Sequence, residues 1–225
     1  MRRTVYALLA KEMRLELRTP QVIPAMTLFS VTTFVVFHFA LQRDSVQGSL
    51  AAGVLTTTLL LAAMLGIGRL FLADHEEGGF DGFLLAPVDR TALFVAKVAA
   101  LMVFLVTVEL MAIPAFALLL LGPGLSAKLL ADTALVILLA DFGIAVIGAL
   151  VGALAVQTRA RDLLVPLIAL PLLLPVVIGT ASALAHSFAA GGPEPLPGRW
   201  LLIIGLYDLV FALLAFALFE FLLED

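Results

Sequence analysis

The chain has 225 residues, of which 63% are hydrophobic and 13% are charged, with a mean hydropathy of +1.16 and a formal net charge of −4. Soluble globular domains are about 45–50% apolar and about 25% charged, so this composition excludes a soluble domain and indicates an integral membrane protein. The chain contains no cysteine, which excludes disulfide bonds and metal sites built from thiolates.

Residues 1–18 alternate charged side chains with apolar residues at helical spacing, namely Val5, Leu8, Leu9 and Met13. This pattern predicts an amphipathic helix that lies in the headgroup plane of a membrane. We expect Thr19-Pro20 to end the helix, because the residue before a proline disfavours the helical conformation. The segment has no small-residue cleavage site, so we do not predict a removable signal peptide.

Six intervals of the sequence are long and apolar enough to span a membrane. A spanning helix needs about 20 such residues to cross roughly 30 Å of hydrocarbon. The intervals are 22–41, 49–71, 92–121, 130–156, 163–185 and 201–223. The sequence therefore predicts an all-α, polytopic membrane protein, with residues 1–225 forming one transmembrane domain.

Lysine and arginine are distributed unevenly between the two sides of these spans. With the N-terminus inside, the inner segments carry 10 of the 13 basic residues and the outer segments carry 3. Positive residues favour the cytoplasmic side of a membrane. We therefore predict a multi-pass protein of the cytoplasmic (inner) membrane, with both termini and residues 74–90 in the cytoplasm.

The fifth interval contains Pro166, Pro171 and Pro175. Each proline removes a backbone donor, and lipid tolerates this only where neighbouring protein or water satisfies the freed groups. We interpret residues 179–192, which are rich in alanine, serine and glycine, as a separate short re-entrant or interfacial helix. An outer loop is expected over residues 186–199.

The interval between the second and third spans has the highest local density of charge. Residues 74–90 combine acids with phenylalanine and are interrupted by glycines and Pro87, which predicts a short amphipathic helix at the membrane surface. We predict that this segment docks on a soluble protein through Asp74, Glu76, Glu77, Phe80, Asp81, Phe83 and Leu84. Burying each large apolar side chain is worth roughly 1.5–3 kcal/mol, more than an exposed salt bridge. The alternative is an ordinary solvated loop.

Glu109 and Asp141 fall near the middle of the third and fourth spans, where a bare charge costs about 2.5–3.5 kcal/mol. One hypothesis places them on a substrate path or in a gating hydrogen bond. The other makes each a neutral acid bonded to hydroxyls such as those of residues 56–58 or Thr107. Asp208 is expected nearer the outer surface.

Gly148 and Gly152 form a G-x-x-x-G motif on the fourth span. Small residues at this spacing allow two helices to approach closely. The sequence leaves open whether the neighbouring helix belongs to the same chain or to a second copy.

His38 and His186 fall toward the outer ends of their spans. They are candidate ligands of haem iron. The alternative is that each is a hydrogen-bonded histidine at the membrane boundary.

The sequence contains no G-x-x-x-x-G-K-[ST] motif, and residues 122–128, the nearest string, have the wrong spacing. It also lacks the H-E-x-x-H arrangement of zinc enzymes. We therefore expect no enzyme activity and no metal site in this chain. ATP-driven work would have to come from a partner subunit.

Two groups of residues carry a resemblance to a known family. The first comprises Arg69-Leu70-Phe71, Asp74, Glu77-Gly78, Phe80-Asp81-Gly82, Leu84-Leu85, Pro87-Val88-Asp89-Arg90 and Ala96-Lys97. The second comprises Leu170-Pro171, Pro175 and Gly179-Thr180-Ala181. Together with the length and the six spans, they resemble the CcmB family, the haem exporter permease or B subunit of the cytochrome c maturation ABC system.

The resemblance implies an ABC-2-type permease whose coupling helix lies between spans two and three. Two permease copies would pair with two cytoplasmic ATPase subunits and with a haem-handling membrane protein. Haem would be a possible substrate, with no tightly bound cofactor and no nucleic acid, and lipid would surround the spans. Two alternatives stay open: an ABC-2 permease for a lipid, glycan or drug, and a non-transporting scaffold that transmits ATP-driven strain for release of haem-loaded chaperone.

Overall fold

The computed structural model describes residues 1–43, 45–71, 90–122, 126–156, 158 and 160–222. Within these ranges the chain forms seven α-helices: α1 Arg2–Arg18, α2 Val22–Leu41, α3 Gly48–Arg69, α4 Arg90–Phe116, α5 Ala127–Val156, α6 Arg161–Ser187 and α7 Gly198–Leu222. A π-helical segment, Ala117–Leu121, continues α4. No residue of the described ranges lies in a β-strand, which confirms the all-α prediction.

Helices α2 to α7 are all long and apolar enough to cross a membrane, so the predicted six spans are confirmed. The third span was predicted over 92–121 and is observed over Thr91–Leu121. Apolar runs become helices in lipid because a helix satisfies its own backbone hydrogen bonds. The protein is therefore a multi-pass membrane protein.

Helix α5 occupies the centre of the bundle. In its most hydrophobic stretch 72% of the residues are buried, against 17% for α2 and for α7. It packs against α4, α6 and α7, while α3 packs mainly against α6 and α2. Polar side chains on α5 are therefore the ones most enclosed by protein.

The G-x-x-x-G face of α5 contacts α3 within the same chain. A Cβ atom added to Gly148 would lie 2.6 Å from the Ile67 side chain, and one added to Gly152 would lie 2.9 Å from the Phe71 ring. Both glycines are thus required for close packing inside the subunit. This settles the question that the sequence left open.

Helix α6 runs without interruption through its three prolines to Ser187, so the prediction of a separate helix over 179–192 is wrong. Its last two turns bury Ala183 and Leu184 completely. Gly179 lies so close to α7 that an added Cβ would be 2.6 Å from the Ile204 side chain. Packing inside the bundle therefore continues the helix, and the following irregular loop is shorter than the predicted 186–199.

Helix α1 begins and ends where the sequence predicted, with Thr19 as its C-cap residue. It packs against α4. The guanidinium of Arg69, at the end of α3, donates to the side-chain oxygen of Gln21, just before α2, at 3.1 Å. We call this region, where α1 meets the start of α2, the end of α3 and the start of α4, the α1 end of the bundle.

Candidate functional site

The predicted docking segment lies outside the described residues, and so do all of its candidate residues: Asp74, Glu76, Glu77, Phe80, Asp81, Phe83 and Leu84. The described chain stops at Phe71 and resumes at Arg90, the first residue of α4. The structure thus defines what holds both ends of this segment, and docking itself stays a prediction.

Lys97 of α4 ties together the two chain ends that flank the docking segment. Its side chain is 1% exposed, and its Nζ donates to Glu12 Oε1 of α1 at 2.9 Å and to the Leu70 carbonyl at 2.7 Å. The ammonium group also lies 4.9 Å from the centre of the Phe71 ring, within the range of a cation–π interaction. These contacts join α1 and α4 to the residues that directly follow α3.

Glu16 joins α1 to the start of α2. Its side chain is buried, and Oε1 accepts hydrogen bonds from the backbone N–H groups of Gln21, Val22 and Ile23 at 3.2, 3.0 and 2.9 Å. The first N–H groups of a helix have no partner within it, and Pro24 has none to offer. Glu16 thus satisfies the free donors at this helix start and places negative charge at the positive end of the helix dipole.

The sequence alone did not predict either of these contacts. Lys97 was named only in the family-like pair Ala96-Lys97, and Glu16 was not singled out within residues 1–18. The sequence feature that could have indicated the role of Glu16 is the position of an acid a few residues before Pro24, which lies in the first turn of α2. Its partners depend on how the chain folds back between α1 and α2, which local periodicity does not encode.

Glu109 of α4 and Asp141 of α5 meet in the centre of the bundle. Both are buried, at 6% and 2% exposure, and both line the same small cavity. Two carboxylates that face one largely apolar enclosure repel each other, so this arrangement favours a proton on at least one of them. The Thr107 hydroxyl donates to the Val103 carbonyl at 2.6 Å, so it does not donate to either acid.

The acid pair lines a cavity of about 20 Å³ between α3, α4, α5 and α6. Thr56 of α3 and Thr180 of α6 also line it, and the remaining lining residues are apolar. Both threonine hydroxyls and Asp141 Oδ2 are buried without a hydrogen-bond partner in the described part of the chain. Polar groups from four helices thus converge on one small volume.

Asp208 of α7 is a further buried acid, at 1% exposure. It packs against Gly143 of α5, where an added Cβ would lie 2.9 Å from Asp208 Cγ and 3.2 Å from Val176 of α6. Neither carboxyl oxygen of Asp208 has a hydrogen-bond partner among the described residues. Its expected position nearer the outer surface was wrong, because Gly143 admits the side chain beside the middle of α5.

His38 and His186 each contact a backbone carbonyl. The Nδ1 atom of His38 lies 2.6 Å from the Leu119 carbonyl in the π-helical segment, and that of His186 lies 3.0 Å from the Ser182 carbonyl. A carbonyl oxygen only accepts, so Nδ1 carries the proton in each neutral ring and Nε2 keeps a lone pair. Both rings are half-buried near the C-terminal ends of α2 and α6.

Comparison with known proteins gives one consistent result. A family profile described as CcmB protein matches residues 3–222, from α1 to α7. Three curated relatives are each called Heme exporter protein B. The Pseudomonas aeruginosa protein is 32% identical over 212 residues, which cover 94% of this chain and 92% of the relative. The Rhodobacter capsulatus protein is 32% identical over 76% of this chain and 78% of the relative. The Bradyrhizobium diazoefficiens protein is 35% identical over 41% of each.

Proposed function

The chain belongs to the CcmB protein family, and on this basis we propose that it is the transmembrane permease subunit of an ATP-driven complex that exports or handles haem for cytochrome c maturation. The observation that carries the proposal is the match to Heme exporter protein B over 94% of the chain. The six spans agree with a permease body. A deletion strain should lose its c-type cytochromes and recover them with this gene, whereas unchanged cytochromes would contradict the haem assignment.

ATP hydrolysis belongs, in this proposal, to a separate cytoplasmic ABC subunit, because the sequence has no nucleotide-binding G-x-x-x-x-G-K-[ST] motif. The permease would receive force through residues 74–90. Closure of two ATPase subunits would push the two copies of this segment together. The contacts of Lys97 support this route, because they link both flanks of the segment to α1 and α4.

The docking role is tested with Phe80→Asp and Phe83→Asp together. We expect loss of co-purification with the ATPase, because two charges would replace the apolar side chains buried at the interface. The matched control, Phe80→Leu with Phe83→Leu, keeps apolar side chains and should keep the complex. Undiminished co-purification of the aspartate variant would contradict docking through this segment.

We propose the inner membrane as the location, with both termini in the cytoplasm, on the asymmetry of basic residues. The chain lacks native cysteine, so single cysteines can report sidedness directly. A cysteine at Thr4 should be protected from an impermeant thiol reagent added outside, and one at Ser45 should react. The reverse pattern would contradict this orientation.

The partners in this proposal are a second permease copy, the ATPase and a haem-handling membrane protein. Mass spectrometry of the native complex, with a haem absorption spectrum, would identify them. Reconstituted vesicles separate two modes of action. A transporting permease gives haem flux, whereas a scaffold that transmits ATP-driven strain to release haem-loaded chaperone gives none.

We propose that the acid pair Glu109–Asp141 acts as a gate between α4 and α5. The support is the burial of both acids at the centre of the bundle, where one acid from each helix lines the same cavity. A movement of α4 relative to α5 has to change the separation of the two carboxyl groups. Haem flux with Glu109→Gln and with Asp141→Asn checks the role, and wild-type flux in both variants would contradict it.

His38 and His186 are the candidate haem contacts in this proposal. The carbonyl contacts hold both rings in the tautomer with a free Nε2, and ligating histidines typically donate their other N–H in this way. Each is therefore suited to bind iron through Nε2. Replacement by alanine should lower haem recovered with the complex, and unchanged haem content would contradict this role.

A further inference from the structure

Two threonines that line the central cavity do not make the hydrogen bond that threonine usually makes in a helix. Thr33 and Thr107 make this contact, donating to carbonyls one turn earlier at 2.8 and 2.6 Å, whereas Thr27, Thr58 and Thr133, away from the cavity, also have no partner in the described ranges. Thr56 and Thr180 line the cavity and have no partner among the described residues. Their hydroxyls therefore keep both a donor and an acceptor for a ligand.

The acid pair adds a third unsatisfied oxygen to this cavity. Glu109 and Asp141 line the same largely apolar cavity, where two buried carboxylates repel each other unless one of them carries a proton. Asp141 Oδ2 is left without a partner in the described part of the chain. A buried oxygen without a partner costs about 1–3 kcal/mol, so three around one volume are unfavourable unless a ligand satisfies them.

The volume of the cavity, about 20 Å³, exceeds the roughly 10–15 Å³ that one water molecule needs, so the cavity can hold a water. A buried water typically makes about three hydrogen bonds, which matches the three unsatisfied oxygens. The lining residues include two titratable groups, Glu109 from α4 and Asp141 from α5, while α3 and α6 contribute the two hydroxyls. Asp208 of α7 contacts α5 at Gly143 and does not line the cavity.

We propose that Glu109 and Asp141 hold one proton between them and, with Thr56 and Thr180, bind one water molecule in this cavity. The proton joins α4 to α5, and the water connects that pair to α3 and α6. Removal of the proton would leave two carboxylates facing one largely apolar cavity, where their repulsion favours separation of α4 from α5. This site goes beyond the proposed transport function, and its test needs no haem and no partner subunit.

The proton is tested by infrared spectroscopy of the protein in lipid nanodiscs at neutral pH. Asp208→Asn serves as the background, so that the buried carboxyl group of α7 cannot contribute to the band. We expect the carbonyl stretch of a protonated carboxyl group in this background, shifted in D₂O, and its loss on adding Glu109→Gln and Asp141→Asn. Absence of the band from the background, or its persistence in the triple variant, would overturn the proposal.

The bound water is tested by measuring the position of the same carbonyl band in variants that keep the shape of the side chain. Thr180→Val removes a hydroxyl from the site and should shift the band without abolishing it. Thr133→Val is the matched control, because Thr133 is equally buried and unpartnered in the described ranges but does not line the cavity. No shift in Thr180→Val, or the same shift in both variants, would overturn the bound water. The comparison of Thr180→Val with Thr133→Val does not use the triple variant, so it still tests the proposal if that variant fails to fold.

A sodium ion is the competing ligand of similar size, since carboxylate and hydroxyl oxygens also bind hard cations. Exchange of sodium for choline separates the two. A protonated pair with bound water gives the same band in both salts. A band that appears only in choline would show that a cation replaces the proton, and would overturn the proposal.

Discussion

The buried charged side chains at the α1 end of this bundle have hydrogen-bond partners, whereas the buried acids in its middle carry oxygens without a partner among the described residues. At the α1 end, Lys97 bonds a carboxylate and a carbonyl, and Glu16 accepts from three backbone N–H groups. In the middle, Asp141 has an oxygen without a partner in the described residues, and Asp208 has two. Satisfied groups hold helices together and need no other explanation. Unsatisfied buried groups are rare in folded proteins and indicate a ligand, a proton or a moving part.

The largest effect is expected from a substitution that removes the buried contacts of Lys97 at the α1 end. Lys97→Met should lower the free energy of unfolding by about 3–5 kcal/mol, because it leaves Glu12 and the Leu70 carbonyl without their buried donor. Lys11, at 3.8 Å from Glu12, offers only weak compensation. The measurement is equilibrium unfolding in detergent micelles.

The control for this prediction is Lys128→Met, which alters an exposed lysine whose contact with the Pro193 carbonyl is 3.4 Å long. It should stay within about 0.5 kcal/mol of the wild type. Adding Glu12→Gln to Lys97→Met should restore part of the loss, because the unpaired carboxylate is then neutral. Equal stability of the two lysine variants would contradict the interpretation of the α1 end.

An intermediate effect is expected in the middle of the bundle. Gly143→Ala places a Cβ against Asp208 and should cost about 1–3 kcal/mol through overpacking. Gly53→Ala is the matched control, because no atom lies within 4 Å of its added Cβ. Asp208→Ala combined with Gly143→Ala should relieve the clash. An additive result for the double variant would mean that the two residues are not in contact.

The smallest effect is expected at Glu16, where two substitutions distinguish its role as a helix cap from the effect of its negative charge. Glu16→Ala should cost about 1–2 kcal/mol, since it removes the acceptor for the free N–H groups of α2. Glu16→Gln keeps an oxygen and should lose only the interaction of the charge with the helix dipole, about 0.3–1 kcal/mol. Glu194→Ala, in an exposed loop, is the control. Equal unfolding midpoints for Glu16→Ala and Glu194→Ala would exclude a capping role.

The order of apolar, polar and proline residues along the chain was sufficient to predict much of the fold. Apolar runs predicted all six spans, and Thr19-Pro20 predicted the end of α1. The pattern failed at residues 179–192, where composition suggested a separate helix and packing against α7 continues α6 instead. It also placed Asp208 nearer the outer surface, because a single helix does not show that a glycine on its neighbour makes room for a carboxyl group.

For the candidate site, the sequence identified Glu109 and Asp141 as acids that must be neutralised or paired. It did not identify each as the partner of the other, because the pairing depends on the packing of α4 against α5. Thr180 appeared only within a family-like motif, and its place beside the acid pair follows from the packing of α6. The docking residues of 74–90 were named from composition and lie outside the described structure.

The sequence alone determined the membrane class, the number of spans and the family, because apolar length and family residues are read along one chain. Each spanning helix closes its own backbone hydrogen bonds, so its existence does not depend on its neighbours. Only the tertiary structure decided that Lys97 meets Glu12, that the G-x-x-x-G face packs within the subunit and that two acids line one cavity. These contacts join residues far apart in the chain, and helix packing alone brings them together.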